Sequence, residues 1–427
     1  MIEARRLAES DGQRWLMVAA TGLLLIAILG AFAASRRQGQ DFASLQLTAV
    51  GLATRAPLYD PQWLRTVYPI RYGLGAPQGV FYPPATGVVM LPFAPLPFRV
   101  AQVAWLAVMI VSIVVGVRAL VRLARPESSR TSWVLAAAVV LLSACVRWGT
   151  TPLQGAPLVL GLLCLFVQAI HLNRWGIAYA IAALVLAFKF TLALPFLGLL
   201  LLHRRYGGLA FALFAAVALN VAGFAWLGGR SVFEAYRQNI AFVEAFGDIN
   251  TPDPWDPVSV PRLDWAYLFY GVSRNIAGAR LLTMLASAGT LLWLCWEGFK
   301  VRNRLTLQTT IAFLTPLACL GMLSVYHHHY DASLLAAPFL LVVLLSPSAL
   351  SRSKWAVAMA FPLVFMMALL PIAVTQSLCR SVLGSNGTAI MNLAFPVAMT
   401  LTLLGALVVL RNTVGTGRAI LFRREAT

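Results

Sequence analysis

Two short strings carry the residue types that do chemistry. Gly39-Gln40-Asp41-Phe42 follows the first apolar run, and His327-His328-His329-Tyr330-Asp331 closes a much later one. A carboxylate at the edge of a membrane can take the proton of a hydroxyl nucleophile. An imidazole of the later string can bind a phosphate or orient Asp41. Together they would make a site for proton abstraction with phosphate handling, with Asp41 as the base and His327, His328 or His329 on the phosphate. Each string has a plainer reading too. Asp41 suits the first turn of a helix over 41–54, and the histidines suit an interfacial belt with Asp331 capping the next helix. Consecutive helical residues point about 100° apart, so the three histidines cannot all ligate one metal from a regular helix. His327 and Asp331, at i and i+4, are a weak metal pair. The expectation is a site without metal or other cofactor.

Further residues fall on the same side of the membrane once orientation is assigned. Lys189 stands between two apolar half-helices, each too short to cross a bilayer alone. A buried ammonium needs a partner or a role, and stabilising a departing phosphate is the role favoured here; the alternative is snorkelling to the headgroups. In Phe81-Tyr82-Pro83-Pro84 the prolines hold the chain extended where it re-enters the bilayer. Tyr82 there either walls a lipid-carrier groove or marks a rigid corner. Arg71 is a further candidate for phosphate. Trp148, Trp255, Trp265 and Arg262 are candidates for the sugar.

The elements that must position these residues are membrane helices. A mean hydropathy of +0.78 excludes a soluble globular protein. Spans or half-spans are expected at about 15–34, 85–97, 99–122, 131–147, 153–172, 176–188, 190–203, 207–228, 279–298, 306–326, 331–347, 354–374 and 392–411. The first is read as a retained helix, since no small-residue cleavage motif follows it. The charge of +18 is scattered between apolar runs and forms no basic stripe, which speaks for membrane orientation over nucleic acid. With residues 1–14 cytoplasmic, 19 of the 33 Lys and Arg lie inside and 13 outside, Lys189 standing between. That assignment requires the chain to turn back near Lys189. Both termini are then cytoplasmic, and two long loops, 35–84 and 229–278, face the exterior. Phe42, Leu45, Ala49 and Leu52 share one helical face, so 41–54 is expected to lie along the membrane surface. Four of the five cysteines sit in apolar runs and Cys379 in an exposed loop, a pattern without a disulfide framework. One integral domain over 1–427 is the economical division.

No expected cytoplasmic segment exceeds about 15 residues, and none carries a Walker loop or a Gly-rich dinucleotide turn. An energised donor must therefore arrive through the membrane, which points to a polyprenyl-linked substrate. The alternative is a transporter or flippase of a lipid-linked substrate. That would place polar residues at mid-membrane on several helices, whereas here they gather on one face.

The strings GQDFASLQLTAVGLATRAPLYD (39–60), VFYPPATGVVMLPFAPLP (80–97), FKF (188–190) with HRR (203–205), and HHHYDASLLAAPFLL (327–341) resemble, in order, those of the polyprenyl-phosphate-mannose-dependent mannosyltransferases. That family belongs to the glycosyltransferase-C superfamily and includes the phosphatidylinositol-mannoside mannosyltransferases. The resemblance implies an all-α polytopic integral membrane protein, a glycosyltransferase-C-like bundle of about 11–13 spans or half-spans. It implies an inverting transfer of a hexose, by family preference mannose, from a polyprenyl-phosphate donor to a glycolipid or glycan acceptor. It also implies a base at Asp41, a functional histidine at or near His328, and a bacterial cytoplasmic membrane with the site facing outward.

Overall fold

The computed structural model describes residues 2–35, 40–75, 80–242, 250–256, 259–301, 305–345 and 372–424. Among them the chain is helical and contains no strand, with a single isolated β-bridge between Arg262 and His328. In chain order the helices are α1 (Ile2–Ser35), α2 (Gln40–Thr54), α3 (Pro61–Tyr72), α4 (Pro84–Met90), α5 (Phe98–Ala124), α6 (Arg130–Leu142), α7 (Ala144–Thr150), α8 (Ala156–His171), α9 (Trp175–Lys189), α10 (Leu194–Leu202), α11 (Tyr206–Leu227), α12 (Arg230–Phe242), α13 (Trp265–Ser273), α14 (Ile276–Val301), α15 (Leu307–Ser324), α16 (Ala336–Leu345), α17 (Ile372–Leu383) and α18 (Gly387–Arg424).

Among the described residues, six helices are long and apolar enough to cross a membrane: Gln13–Ser35 of α1, α5, Trp175–Leu192 at α9, α11, α14, and Gly387–Val414 of α18. A seventh span forms if α6 and α7, bent by 67° at Ser143, are counted as one. Shorter apolar helices at Pro84–Phe93, Ala156–His171 and Thr309–Ser324 fall where half-spans or full spans were expected. The chain is thus a polytopic helical membrane protein. Most of the span expected at 354–374 lies outside the described residues.

Helix ends follow local chemistry. Asp60 caps α3 by accepting from Gln62 N–H, and Gly73, at φ +64°, closes the same helix in the left-handed region that glycine tolerates. Thr306 and Thr309 form a reciprocal capping box at α15. The α9–α10 segment turns back where the charge distribution requires it. α9 ends at Lys189, a three-residue 3-10 turn follows, and α10 ends at Leu202. Trp175 at the start of α9 lies 5.5 Å from the ring of His203, and the Arg205 guanidinium sits 3.9 Å over the Trp175 ring. Both ends of the hairpin therefore meet on one side.

Two expectations are corrected. α2 is not a surface helix with one buried face. Phe42, Leu45 and Ala49 pack into the main core, while Ala43 and Leu47 pack on the other side with Tyr59, Leu64 and Tyr68. The neighbouring segments 58–72 and 84–93 fold over the helix, which the periodicity of 41–54 alone does not reveal. Cys379 lies in α17 and not in a loop, and Cys295 is exposed on α14; all five cysteines are free.

The centre of the bundle is the α5–α8 pair, which approaches closely through glycines. A Cβ on Gly116 would lie 2.6 Å from the Gly161 carbonyl oxygen, and one on Gly161 would lie 2.2 Å from Ser112 Oγ. Small residues at such a crossing let the backbones meet without a hydrophobic drive from lipid. Gly161→Leu is therefore expected to force α5 and α8 apart at a cost of about 1–3 kcal/mol or more. A lowered thermal midpoint and a smaller monodisperse fraction in detergent are the readouts.

Candidate active site

Functional side chains gather where several helices end. α9 terminates at Lys189, which its environment holds in place from two sides. Thr86 Oγ1, on α4, donates to the carbonyl of Phe188 at 2.9 Å. The Lys189 ammonium meets Asp331 Oδ1 at 2.5 Å and lies 5.3 Å over the ring of Tyr330. The other carboxylate oxygen of Asp331, Oδ2, is 2.7 Å from His327 Nδ1. Asp331 is thus shared between an ammonium and an imidazole, and all three groups are buried or nearly so. Since a carboxylate only accepts, His327 donates through Nδ1–H and turns Nε2, which has no partner, away from the pair.

The histidine string does not continue a helix. α15 stops at Ser324, the chain runs extended through His328, and a 3-10 turn begins at His329. Leu263 N–H donates to the His327 carbonyl at 2.9 Å, which holds the extended stretch against the 259–264 segment. The three imidazoles consequently splay. His327 serves Asp331. His328 Nε2 meets the Tyr326 hydroxyl and Asn250 Oδ1. His329 Nδ1 donates to the Pro261 carbonyl at 3.4 Å, and its ring stands edge-on to Trp148 at 5.1 Å. Burial holds His328 down to about 3 and His329 to about 4, so both are neutral at ordinary pH. The expectation that an imidazole orients Asp41 is corrected in detail: the imidazole on a carboxylate is His327, and its carboxylate is Asp331.

Asp41 comes from another element, in the first turn of α2. The residue is half-buried, and the surrounding atoms desolvate its carboxyl enough to raise its pKa above the ordinary carboxylate value. A hydrogen bond from Gln154 and the Lys189 charge oppose that rise, and Asp331 adds to it. Tyr82 belongs to the same group: it too meets the Gln154 side chain and feels the charges of Asp41 and Asp331. Its carbonyl accepts from the Tyr59 hydroxyl at 2.9 Å, which fixes the Pro83-Pro84 corner. The tertiary fold therefore brings Asp41, Tyr82, Lys189 and the 326–331 string to one place.

The remaining candidates are placed differently. Trp148 lies beside His329 and Phe395, at the side of the group. Arg262 is fully buried, with its guanidinium bound two-pronged to Asp264 at 2.8 and 3.0 Å and stacked 4.5 Å over Tyr326. That is a brace under the histidine string and not an open sugar contact. Trp265 is buried, donating to Thr400 Oγ1 on α18, so its ring is no platform for a sugar. Trp255 is more exposed, beneath the Arg274 guanidinium, and donates to the Gly271 carbonyl. Arg71 donates to the Ala94 carbonyl at 3.1 Å and lines an open groove of about 340 Å³ with Val50, Ala53, Thr54, Leu91, Ala94 and Pro95. Among the described residues no group of three or more His, Cys, Asp or Glu is arranged to hold a metal ion.

Sequence reasoning passed over Gln154, Tyr326 and Asn250, and it assigned Asp331 no role beyond a helix cap or a weak metal pair. A lone Gln in Thr-Thr-Pro-Leu-Gln-Gly, between two apolar runs, carries no motif. Its only signal is an uncharged polar residue at the expected outer end of two spans. Asp331 had a stronger signal, as a carboxylate four residues from His327.

The Lys189–Asp331 pair has a measurable signature. Removing one partner of a buried pair leaves a charge unpaired and costs about 3–5 kcal/mol, whereas removing both costs far less. Lys189→Met and Asp331→Leu should each lower the thermal midpoint in detergent more than the double variant does. Additive midpoints would show that the two charges do not depend on each other.

A comparison with curated proteins gave no match. A family model, described as glycosyltransferase family 87, matches residues 81–323. The matched stretch contains Tyr82, Trp148, Gln154, Lys189 and Arg262; Asp41 and the histidine string flank it. Since it covers more than half of the chain, and the chain folds as a polytopic helical bundle, the protein belongs to glycosyltransferase family 87.

Proposed function

We propose that this membrane glycosyltransferase moves a hexose, by resemblance mannose, from a polyprenyl-phosphate donor to a hydroxyl of a glycolipid or glycan acceptor. The observation that carries this reading is the meeting of Asp41 with the Lys189–Asp331–His327 group. One side of that meeting is a carboxylate whose raised pKa suits a base. The other side holds an ammonium and an imidazole suited to phosphate. In the reaction, Asp41 takes the acceptor proton as the acceptor oxygen forms its bond to the anomeric carbon. The bond from that carbon to the donor phosphate oxygen breaks with its electron pair, and polyprenyl phosphate leaves from the opposite face, inverting the centre. Lys189, exchanging part of its interaction with Asp331 for the phosphate, offsets the developing charge. His327 Nε2 and the neutral His328, braced by Tyr326 and Asn250, line the phosphate side, and Tyr82 borders the carrier. The chemistry calls for no metal.

The charge bias of the connecting segments supports a single integral domain in a bacterial cytoplasmic membrane, with both termini inside and the site facing the exterior. Membership of a glycosyltransferase family favours this reading over a flippase.

The test is transfer from radiolabelled polyprenyl-phosphate mannose into a crude lipid extract in proteoliposomes, with Asp41→Asn alongside. That substitution keeps shape and polarity, and it is expected to lower turnover by about 10²–10⁴-fold without loss of fold. Retained turnover would overturn Asp41 as the base. Because burial raises the Asp41 pKa and a base must be ionised, activity should rise with pH through a value above the ordinary carboxylate range. A wild-type profile already flat at pH 4 would contradict the desolvated base.

A further inference from the structure

We infer that Gln154 is a positioning residue for Asp41, its side-chain amide bridging the Asp41 carboxylate and the Tyr82 hydroxyl so as to hold the carboxylate in one orientation. The inference rests on Asp41 acting as the base, as proposed above. Three observations carry it. The first is placement: Gln154 is buried, 5% exposed, and the Trp105 indole that binds the carbonyl of its neighbour Leu153 also stacks on Phe42, the neighbour of Asp41, which puts the Gln154 amide within electrostatic reach of both Asp41 and Tyr82. The chemistry of the amide assigns its two ends. A carboxylate only accepts, so the amide N–H faces Asp41, which leaves Oε1 to accept from the Tyr82 O–H. One carboxylate lone pair is then occupied and the rest are left for an acceptor hydroxyl.

The second observation is the backbone that presents Gln154. Leu153 adopts φ +62°, a left-handed conformation that a branched side chain resists and that persists only where its surroundings enforce it. Here the enforcement is specific. Trp105 Nε1 donates to the Leu153 carbonyl at 3.0 Å, and Gln154 N–H donates to the Gly149 carbonyl at 2.9 Å. The third observation is Gly155, immediately after. A Cβ there would lie 2.4 Å from Cε1 of Phe188, the residue before Lys189. The turn is clamped between the Trp105 indole and the Phe188 ring, so Gln154 has a fixed position relative to Lys189 as well as Asp41. A strained, clamped turn whose outward residue is an amide on the proposed base fits a role in aiming that base.

The experiment compares wild type, Asp41→Asn and Gln154→Leu in the transfer assay with polyprenyl-phosphate mannose, across pH. The Gln154 hydrogen bond favours the ionised carboxylate, so its loss should make Asp41 harder to ionise. The acid limb of kcat/KM is expected to move up by about one pH unit. At neutral pH kcat should fall about tenfold, while the donor KM changes less than about twofold. A merely structural role would reduce the yield of folded protein and leave the limb where it was. Should Gln154→Leu not fold, Gln154→Asn, which keeps the amide but withdraws it by one methylene, is read in the same way. An unshifted limb with Asp41→Asn inactive would overturn Gln154's role and leave the base in place. Activity in Asp41→Asn, or no transfer by the wild type, would overturn the base and this inference with it.

Discussion

The indole of Trp105 holds the site from beneath. It is 1% exposed on α5, and three of the residues that matter stand one position away from something it touches. Its ring stacks on Phe42, next to Asp41, at 6.2 Å, and packs against Phe188, next to Lys189, at 5.7 Å. Its N–H binds the carbonyl of Leu153, next to Gln154. A rigid, amphipathic ring with one donor can do this where an aliphatic side chain cannot. The close glycine-mediated crossing of α5 and α8 then carries the same geometry down into the bundle.

Upon that platform the electrostatics are arranged in buried pairs. Lys189 with Asp331, and Arg262 with Asp264, each take two charges out of water. Such pairs add little to stability, because desolvation offsets most of their attraction, but they strongly disfavour any arrangement that separates the partners. The two pairs act at different distances from the chemistry. Arg262–Asp264 braces Tyr326 and the bridge to His328. Lys189–Asp331 faces Asp41, close enough for both charges to bear on its carboxyl.

The histidine string shows how far local pattern reaches. His327 and Asp331 are near neighbours, and their contact was legible from an i, i+4 spacing. The backbone that makes the contact is nonetheless extended and then 3-10, so the spacing worked for a reason other than a helical face. Arg262 and Trp265 were read as candidates for the sugar, but their burial depends on partners such as Asp264 and Thr400, and neither partner is marked by a local signal. The α2 helix likewise hid its second buried face, because the segments that cover it, 58–72 and 84–93, lie further along the chain.

Hydropathy and charge by themselves determined the membrane-spanning class of the chain and the main helical runs, with a turn at Lys189. These follow from one-dimensional quantities: the apolar length needed to cross a bilayer and the bias of basic residues between spans. Residue type alone also marked Asp41, Lys189 and the histidines, because ionisable groups are scarce in such a chain. Only the tertiary structure decided which carboxylate the histidine serves, which arginine is a brace, and that an unremarkable glutamine reaches Asp41. Those outcomes depend on contacts between residues more than a hundred positions apart, such as Lys189 with Asp331 and Asp41 with Gln154. Contacts at that separation leave no periodic trace in the sequence, since each partner is locally compatible with many neighbours and packing selects one.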